Sequence, residues 1–317
     1  MSGQKPIVVV GSINTDLVAI TRKIPAVGET VLGTDFQVHP GGKGANQAVA
    51  VARLGYPVRL IGRLGNDAFG DQLRAHLISA GVDATGVATS EGASGVAVIV
   101  VSSQGENSIV VTPGANLKVT PRDLETNVSV IRSAGIVLAQ LEIPIDTVEC
   151  LSSICARENV PLILDPAPAL PMPPSIFKRV RWLTPNETQA RFYSDEGFSD
   201  NSLPDPVALS QMILARGVCG VVLKLGVRGV YLATQGSLGE IVPAFQVTAV
   251  DTTAAGDAFN GGFATGLMLG KTPQESARFG CAVGGLSVTR MGAQSSMPSM
   301  TEVEDFMRRC SSGNPTL

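Results

Sequence analysis

An acid at the point where a loop of small residues turns into a helix can take a proton from a hydroxyl while the helix start holds an anion. The segment Val250-Asp251-Thr252-Thr253-Ala254-Ala255-Gly256-Asp257-Ala258-Phe259-Asn260-Gly261-Gly262 has that form. An apolar run, Phe245–Val250, predicts a strand leading into it, and a helix is expected to begin at about Asp257. The small side chains of Ala254, Ala255 and Gly256 let a polyphosphate approach the backbone, and unpaired N–H groups at a helix start favour negative charge. Asp257 would then accept a hydroxyl proton while those N–H groups stabilise charge on a phosphoryl. Asp257 also fits a plainer reading, a first-turn acid favoured by the helix dipole.

Two further segments carry polar groups at expected ligand-facing ends. Pro40-Gly41-Gly42-Lys43-Gly44-Ala45-Asn46-Gln47 follows a strand and opens a helix, with Lys43 and Asn46 together at its start. It is not a Walker A loop, because Gly44 follows Lys43, and Gln47 stands where a dinucleotide fingerprint needs its third Gly. Gly11-Ser12-Ile13-Asn14-Thr15-Asp16 follows the first strand, and Asn14 and Asp16 offer donors and acceptors suited to vicinal sugar hydroxyls. An ordinary Asx-type turn would account for it equally.

These segments need a scaffold. Short β-branched runs alternate with helical stretches, which argues for βαβ units on a largely parallel sheet. Expected strands are Ile7–Val10, Val58–Ile61, Ile136–Ala139, Leu162–Leu164, Arg181–Leu183 and Val221–Leu223. Expected helices are Ala45–Leu54, Phe69–Ala80, Asp146–Glu158, Pro206–Arg216, Ala258–Leu269 and Pro273–Val288, most of them ended by a glycine. Leu17–Val38 and Ser94–Val111 are strand-like with no helix between, and the second reads as a hairpin around Gln104–Asn107. They are expected to form a small antiparallel lid whose apolar face needs a cover, either the cleft or a second subunit. No long linker interrupts the chain, so 1–317 reads as one domain.

Composition removes other classes. The chain has 24 basic and 27 acidic residues, a net charge of −3, and no basic stripe for nucleic acid. No stretch approaches a membrane span, and the N-terminal run Ile7–Val10 is too short for a signal core. The odd count of 5 cysteines without a C-x-x-C pair reads as reduced thiols, and a cytoplasmic location is expected. The 2 histidines, His39 and His76, are too far apart in sequence to suggest a zinc site.

Taken together the motifs resemble the ribokinase-like (PfkB) carbohydrate kinases. GSINTDLVAITRKIPAVGETVLGTDFQVHPGGKGANQAVA is similar to that family's N-terminal motif, and DTTAAGDAFNGG to its C-terminal one. TPNET, KLGVRG and VTRMGAQSSMP follow in the family's order, so the likeness runs from Ile7 to Phe306. The resemblance implies a three-layer fold with a mostly parallel central sheet plus the β lid, and transfer of the ATP γ-phosphate to a sugar. Of the sugars it points to O5 of D-ribose; 2-deoxyribose, fructose or adenosine as acceptor remains open, as does a non-catalytic sugar sensor.

The resemblance also implies roles for residues. Asp257 would be the base, and Ala254, Ala255 and Gly256 the anion hole. Asn14, Asp16, Gly42, Lys43, Asn46 and Glu142 would hold the sugar. Asn186 would reach the phosphates and Mg²⁺, while Lys224, Leu225, Gly226, Val227, Arg228, Gly229 and the segment near Cys281 would surround the nucleotide. A monovalent cation, K⁺ by expectation, would take oxygens from Asp251, Thr253, Ser287, Arg290, Gly292 and Ser296, and the lid would form a homodimer. Two positions depart from the pattern. Gln189 replaces a carboxylate tied to Mg²⁺, and Lys224 stands where relatives often carry a small polar residue, either touching phosphates or lying on the surface.

Overall fold

The computed structural model describes residues 3–194 and 205–311. Thirteen strands follow one another along the described chain. They are β1 (Ile7–Val10), β2 (Asn14–Thr21), β3 (Gly33–Gly41), β4 (Val58–Gly65), β5 (Asp83–Ser90), β6 (Gly95–Ser102) and β7 (Asn107–Thr112). The rest are β8 (Ile136–Gln140), β9 (Leu162–Asp165), β10 (Trp182–Leu183), β11 (Gly220–Lys224), β12 (Val230–Thr234) and β13 (Glu240–Val242).

Nine of them form one sheet in the order β13-β12-β11-β10-β9-β8-β1-β4-β5. All neighbours are parallel except at the β11–β12 and β12–β13 pairings, so the mostly parallel sheet is borne out. Successive side chains of a strand point to opposite faces, and in β1 both faces are apolar. Ile7 and Val9 join one core with the helices Lys43–Arg53, Ala255–Met268 and Pro273–Ser287. Val8 and Val10 join a second core with Ile145–Arg157 and Pro206–Ala215. A continuous β-branched run is what a strand covered on both faces requires, which is why Ile7–Val10 was legible.

The remaining four strands form the second sheet, in the order β3-β2-β6-β7. Each hairpin-like pair, β2–β3 and β6–β7, is antiparallel, but the two pairs are joined by a parallel β2–β6 ladder. The expected wholly antiparallel lid is corrected to that extent. Its bounds also move: β2 begins at Asn14 and β3 runs to Gly41, so both lid strands are rooted in the sugar-motif segments.

Other expectations shift locally. Phe245–Val250 is not a strand; Val250 and Asp251 donate instead to the carbonyl of Val288, at 2.7 and 3.1 Å, which ties the segment to a helix end. The helix expected at Asp257 begins at Ala255, making Asp257 its third residue. Short helices at Pro121–Thr126, Val128–Ser133 and Glu187–Tyr193, and the helix Met300–Ser311, were not anticipated. The first was readable from Thr120 and Asp123 in a capping box around Pro121.

Candidate active site

The parallel strands end on one edge, where an open α/β sheet presents ligand-binding groups. β1 leads to Asn14, β8 to Glu142, β9 ends in Asp165, β10 leads to Asn186 and β11 ends in Lys224. Facing that edge is the start of the helix Ala255–Met268.

That helix start has no side-chain cap. Ala254 occupies the cap position in the left-handed region, with φ 58°, and offers no side chain to accept from the first turn. Ala255 donates to Thr252 at 3.2 Å, which closes the turn. Among the described residues no bond engages the N–H of Gly256 or Asp257. Two unclaimed donors at a helix N-terminus suit an oxyanion, and Asp257 lies on the same turn.

Asp257 is 4% exposed and its two oxygens are separately held. Asn46 donates to Oδ2 at 3.0 Å and Gln47 to Oδ1 at 3.0 Å. Both donors sit in the first turn of the Lys43–Arg53 helix, so one helix start presents amides to the acid on the other. Burial pushes the Asp257 carboxyl above its usual range; the Lys43 charge opposes this, Asp165 adds to it, and the two amide bonds oppose it. Lys43 in turn is raised, chiefly by Asp257 and despite burial, with Glu142, Asp165 and Asp16 contributing. Asp16 is pushed up to about 7 by burial and then by the charges of Glu142 and Asp257, with Lys43 opposing.

Asn14, Asp16, Gly42, Lys43, Asn46, Glu142 and Asp257 therefore converge. Glu142 accepts from the backbone of Lys43 at 3.1 Å and from the hydroxyl of Ser12. Asn14 accepts from Asn116 at 2.7 Å. Gly42 sits at φ 88° and caps the Lys43 helix, and a methyl there would come within 2.7 Å of the Asn14 nitrogen. No other residue fits that turn without moving the sugar segment.

The residues expected to meet the nucleotide lie further along the edge. Asn186 and Gln189 form a capping box, each side chain accepting from the other's backbone N–H at 2.8 Å. The Gln189 carbonyl oxygen is thus already engaged, and Glu187 pairs with Arg228 at 2.6 Å, as far from a substitute as its helical position implied. Gly226–Arg228 form a single 3-10 turn closed by Gly229, whose carbonyl accepts from Leu225 at 2.8 Å; Val227 is exposed at its tip. Cys281 is buried in the core, and burial pushes its thiol up to about 12. Lys224 is not a surface residue: its ammonium lies 3.0 Å from Asp165 and its side chain is only 15% exposed.

Of the expected cation residues, Asp251, Thr253 and Gly292 are joined by hydrogen bonds just before the helix start. Asp251 accepts from Thr253 through Oδ1 and from Gly292 through Oδ2 at 2.8 Å, which holds the two loops together. Ser287 and Ser296 are buried near it. The Arg290 side chain turns away to Glu302 at 2.6 Å, leaving its backbone carbonyl as its only oxygen there.

Several residues were missed in the sequence. Gln47 bridges Asp257 and Asp165, at 3.0 and 3.3 Å, and accepts from Gln140 at 2.7 Å. Asn46 accepts from Gln294 at 3.0 Å, whose own oxygen meets His76 at 2.9 Å. His76 and His39, distant in sequence, line one cavity of about 330 Å³ behind this chain of bonds. Asp165 carried a signal: like Glu142 it stands at the carboxyl end of a parallel strand.

Residues 4–300 match the model for the pfkB family carbohydrate kinases. The chain is 40% identical over 304 residues to a ribokinase of Bacillus subtilis, covering 95% of this chain and 99% of that one. It is 37% identical over 305 residues to a ribokinase of Haemophilus influenzae, covering 96% and 99%. Among solved structures, a ribokinase from Thermotoga maritima superposes with a TM-score of 0.87 at 39% identity, covering 96% of this chain and 99% of that chain. The Arabidopsis thaliana ribokinase complexed with ribose and ATP gives 0.86 at 33% identity, covering 96% and 98%. A family match over nearly the whole length, on a fold and an edge of polar residues built as described, makes this chain a member of the pfkB family of carbohydrate kinases.

Proposed function

We propose that this chain transfers the γ-phosphate of ATP to O5 of D-ribose, with Asp257 as the general base. The observation that carries the reading is the helix start at Ala254–Asp257, where unclaimed N–H groups adjoin a buried carboxylate held by two amides. Support for ribose comes from relatives at 37–40% identity that are ribokinases, and from a neighbour solved with ribose and ATP.

In this reading Asn14, Asp16, Gly42, Lys43, Asn46 and Glu142 orient the sugar so that its O5 hydroxyl faces Asp257. Burial makes Asp257 a better proton acceptor than a solvated carboxylate, while Asn46 and Gln47 hold both its oxygens in place. Asp257 takes the O5 proton, O5 bonds to the γ-phosphorus, and ADP leaves. The N–H groups of the helix start, with Ala254, Ala255 and Gly256 small enough to admit the phosphate, balance the developing charge. The lid excludes water, which would otherwise be the acceptor.

Mg²⁺ supplies charge neutralisation on the phosphates when bound. Among the described residues no cluster of three or more His, Cys, Asp or Glu side chains could hold a metal ion. Such an ion would be carried mainly by phosphate and water, with Asn186 the residue expected nearest it. The carboxylate of Asp251, with oxygens from Thr253, Ser287, Arg290, Gly292 and Ser296, suits K⁺, a cation content with neutral oxygens. The lid's exposed apolar face, including Phe36, Val38, Val98 and Val110, is covered by a second subunit in a homodimer. Five unpaired cysteines accord with work in the cytoplasm; among the described residues no helix is long and apolar enough to cross a membrane.

The test is a coupled assay of ADP release with ribose, 2-deoxyribose, fructose and adenosine, each with and without K⁺. Ribose should give the highest kcat/KM and K⁺ should raise it. A higher kcat/KM with another acceptor would refute ribose, and an unchanged rate without K⁺ would refute the cation site.

A further inference from the structure

We propose that Lys224 is a catalytic residue: its ammonium is delivered to the γ-phosphoryl group during transfer, and Asp165 stores that charge while the nucleotide is absent. The inference deepens the phosphotransfer reading and rests on it.

The geometry begins at the end of β11. Lys224 pairs along the sheet edge with Asn186, and its backbone donates to Pro185 at 2.8 Å, so the side chain starts beside the nucleotide-side loop. Its Nζ lies 3.0 Å from Asp165 Oδ1, with the two side chains 15% and 4% exposed. A methyl group built on Gly256 would come within 3.3 Å of that same Nζ. The ammonium therefore lies against Gly256, in the first turn of the helix whose N–H groups are unclaimed.

Stability alone does not account for the pair. Removing two charges from water costs about what their attraction returns, so a lone buried ion pair generally gains little over neutral groups. Lys224 has what a mobile charge needs, a four-carbon stem with rotatable donors. Asp165 has what a storage site needs, because its second oxygen keeps Gln47 at 3.3 Å when the lysine leaves. The other lysine of the site serves the opposite side. Lys43 stands among Asp16, Glu142 and Asp257, the carboxylates around the acceptor, and feels the charge of Asp165 as well. Lys224 is the cation placed at the donor.

In the step itself O5 loses its proton to Asp257 and bonds to the γ-phosphorus as the bond to the ADP oxygen breaks. Lys224 keeps its proton throughout and contributes only charge, where negative charge spreads over the transferring oxygens.

The experiment compares Lys224→Met, Lys224→Arg and the double variant Lys224→Met/Asp165→Asn with wild type. Losing one preorganised group of this kind costs ~10² in kcat, so Lys224→Met should fall by that order with ribose KM near wild type. Lys224→Arg should recover part of the rate. By calorimetry, a non-hydrolysable ATP analogue should bind Lys224→Met at least ~10-fold more weakly, while ADP changes little, the difference expected of a charge at the terminal phosphate. The double variant leaves no orphaned carboxylate and should regain thermal stability lost in Lys224→Met, yet stay slow. If the double variant regains wild-type kcat, or if ATP analogue and ADP weaken equally, Lys224 only neutralises Asp165 and the proposal is wrong. A wild-type protein inactive on the whole acceptor panel would overturn the phosphotransfer reading itself. An active wild type with an unimpaired Lys224→Met overturns the role of Lys224 alone.

Discussion

The two sheets of this molecule solve opposite problems. In the nine-stranded sheet β1 and β8 are buried at every residue, with apolar layers on both faces. In the lid, β7 is exposed at every residue, and Ile109, Val110 and Val111 stand in solvent. The first sheet can hold Asp257, Lys43 and Glu142 to within a hydrogen bond because nothing around them can move without opening a close-packed core. The second has little packing to resist displacement, which is the property a cover needs. The proposed chemistry falls at the rigid sheet's edge and the proposed cover on the loose one.

Four experiments bear on that contrast. The largest effect is expected on the rigid side, where Asp257→Asn should cost at least ~10² in kcat with ribose affinity largely kept. Near wild-type turnover would mean that the best-held acid of the core is not the base. Next comes the loose side. Val110→Glu should convert a dimer to a monomer in light scattering at micromolar concentration, raising the dissociation constant by ~10-fold or more. An unchanged mass would mean that the exposed face is covered by something other than a second copy.

A third, smaller effect lies where the two sheets meet. Asp16 stands on the lid strand β2 and its carboxyl is pushed up to about 7 from 3.8. A raised carboxyl stabilises the fold fully below its unfolded value, and that contribution is lost as pH rises through the folded value. The ligand-free protein should therefore lose melting temperature from about pH 4 to about pH 7, and Asp16→Asn should flatten the loss; Asp257, raised in the same direction, retains part of it. A slope unaltered in Asp16→Asn would contradict the crowding of carboxylates at this junction. The smallest effect is expected at Gln189→Glu, which keeps the capping geometry and adds a charge beside Asn186. It should lower the Mg²⁺ concentration needed for half-maximal rate; an identical Mg²⁺ curve would count against any link between this position and the metal.

Legibility in the sequence followed the same division. Strands buried on both faces, such as Ile7–Val10 and Ile136–Gln140, announce themselves as β-branched runs, and helix ends were marked by Gly55, Gly81, Gly217 and Gly270. The lid was legible as two helix-free segments, but not the parallel β2–β6 ladder, because the partners it pairs, such as Asn14 and Gly95, lie far apart in sequence and leave no local mark. In the site, residues inside short motifs were found: Asn14, Asp16, Lys43, Asn46 and Asp257. Gln47 was in view and passed over, since its role depends on Asp165, which lies 118 positions away. Lys224 stayed ambiguous for the same reason. Its burial follows from Asp165 and Gly256, neither of which any spacing rule connects to it. The helix start moved by two residues because Ala254, a poor cap on propensity, takes the cap position to leave the first turn open.

One feature of the join reaches further than its position suggests. Asn14 and Asp16 open β2 and Gly41 closes β3, in ladder register with each other, so acceptor pocket and cover are a single length of backbone. On the proposed reading, a sugar that misfits Asn14 and Asp16 strains the very strands that cover it, so substitutions far out on β2 or β3 are expected to change which alcohol is accepted without touching it.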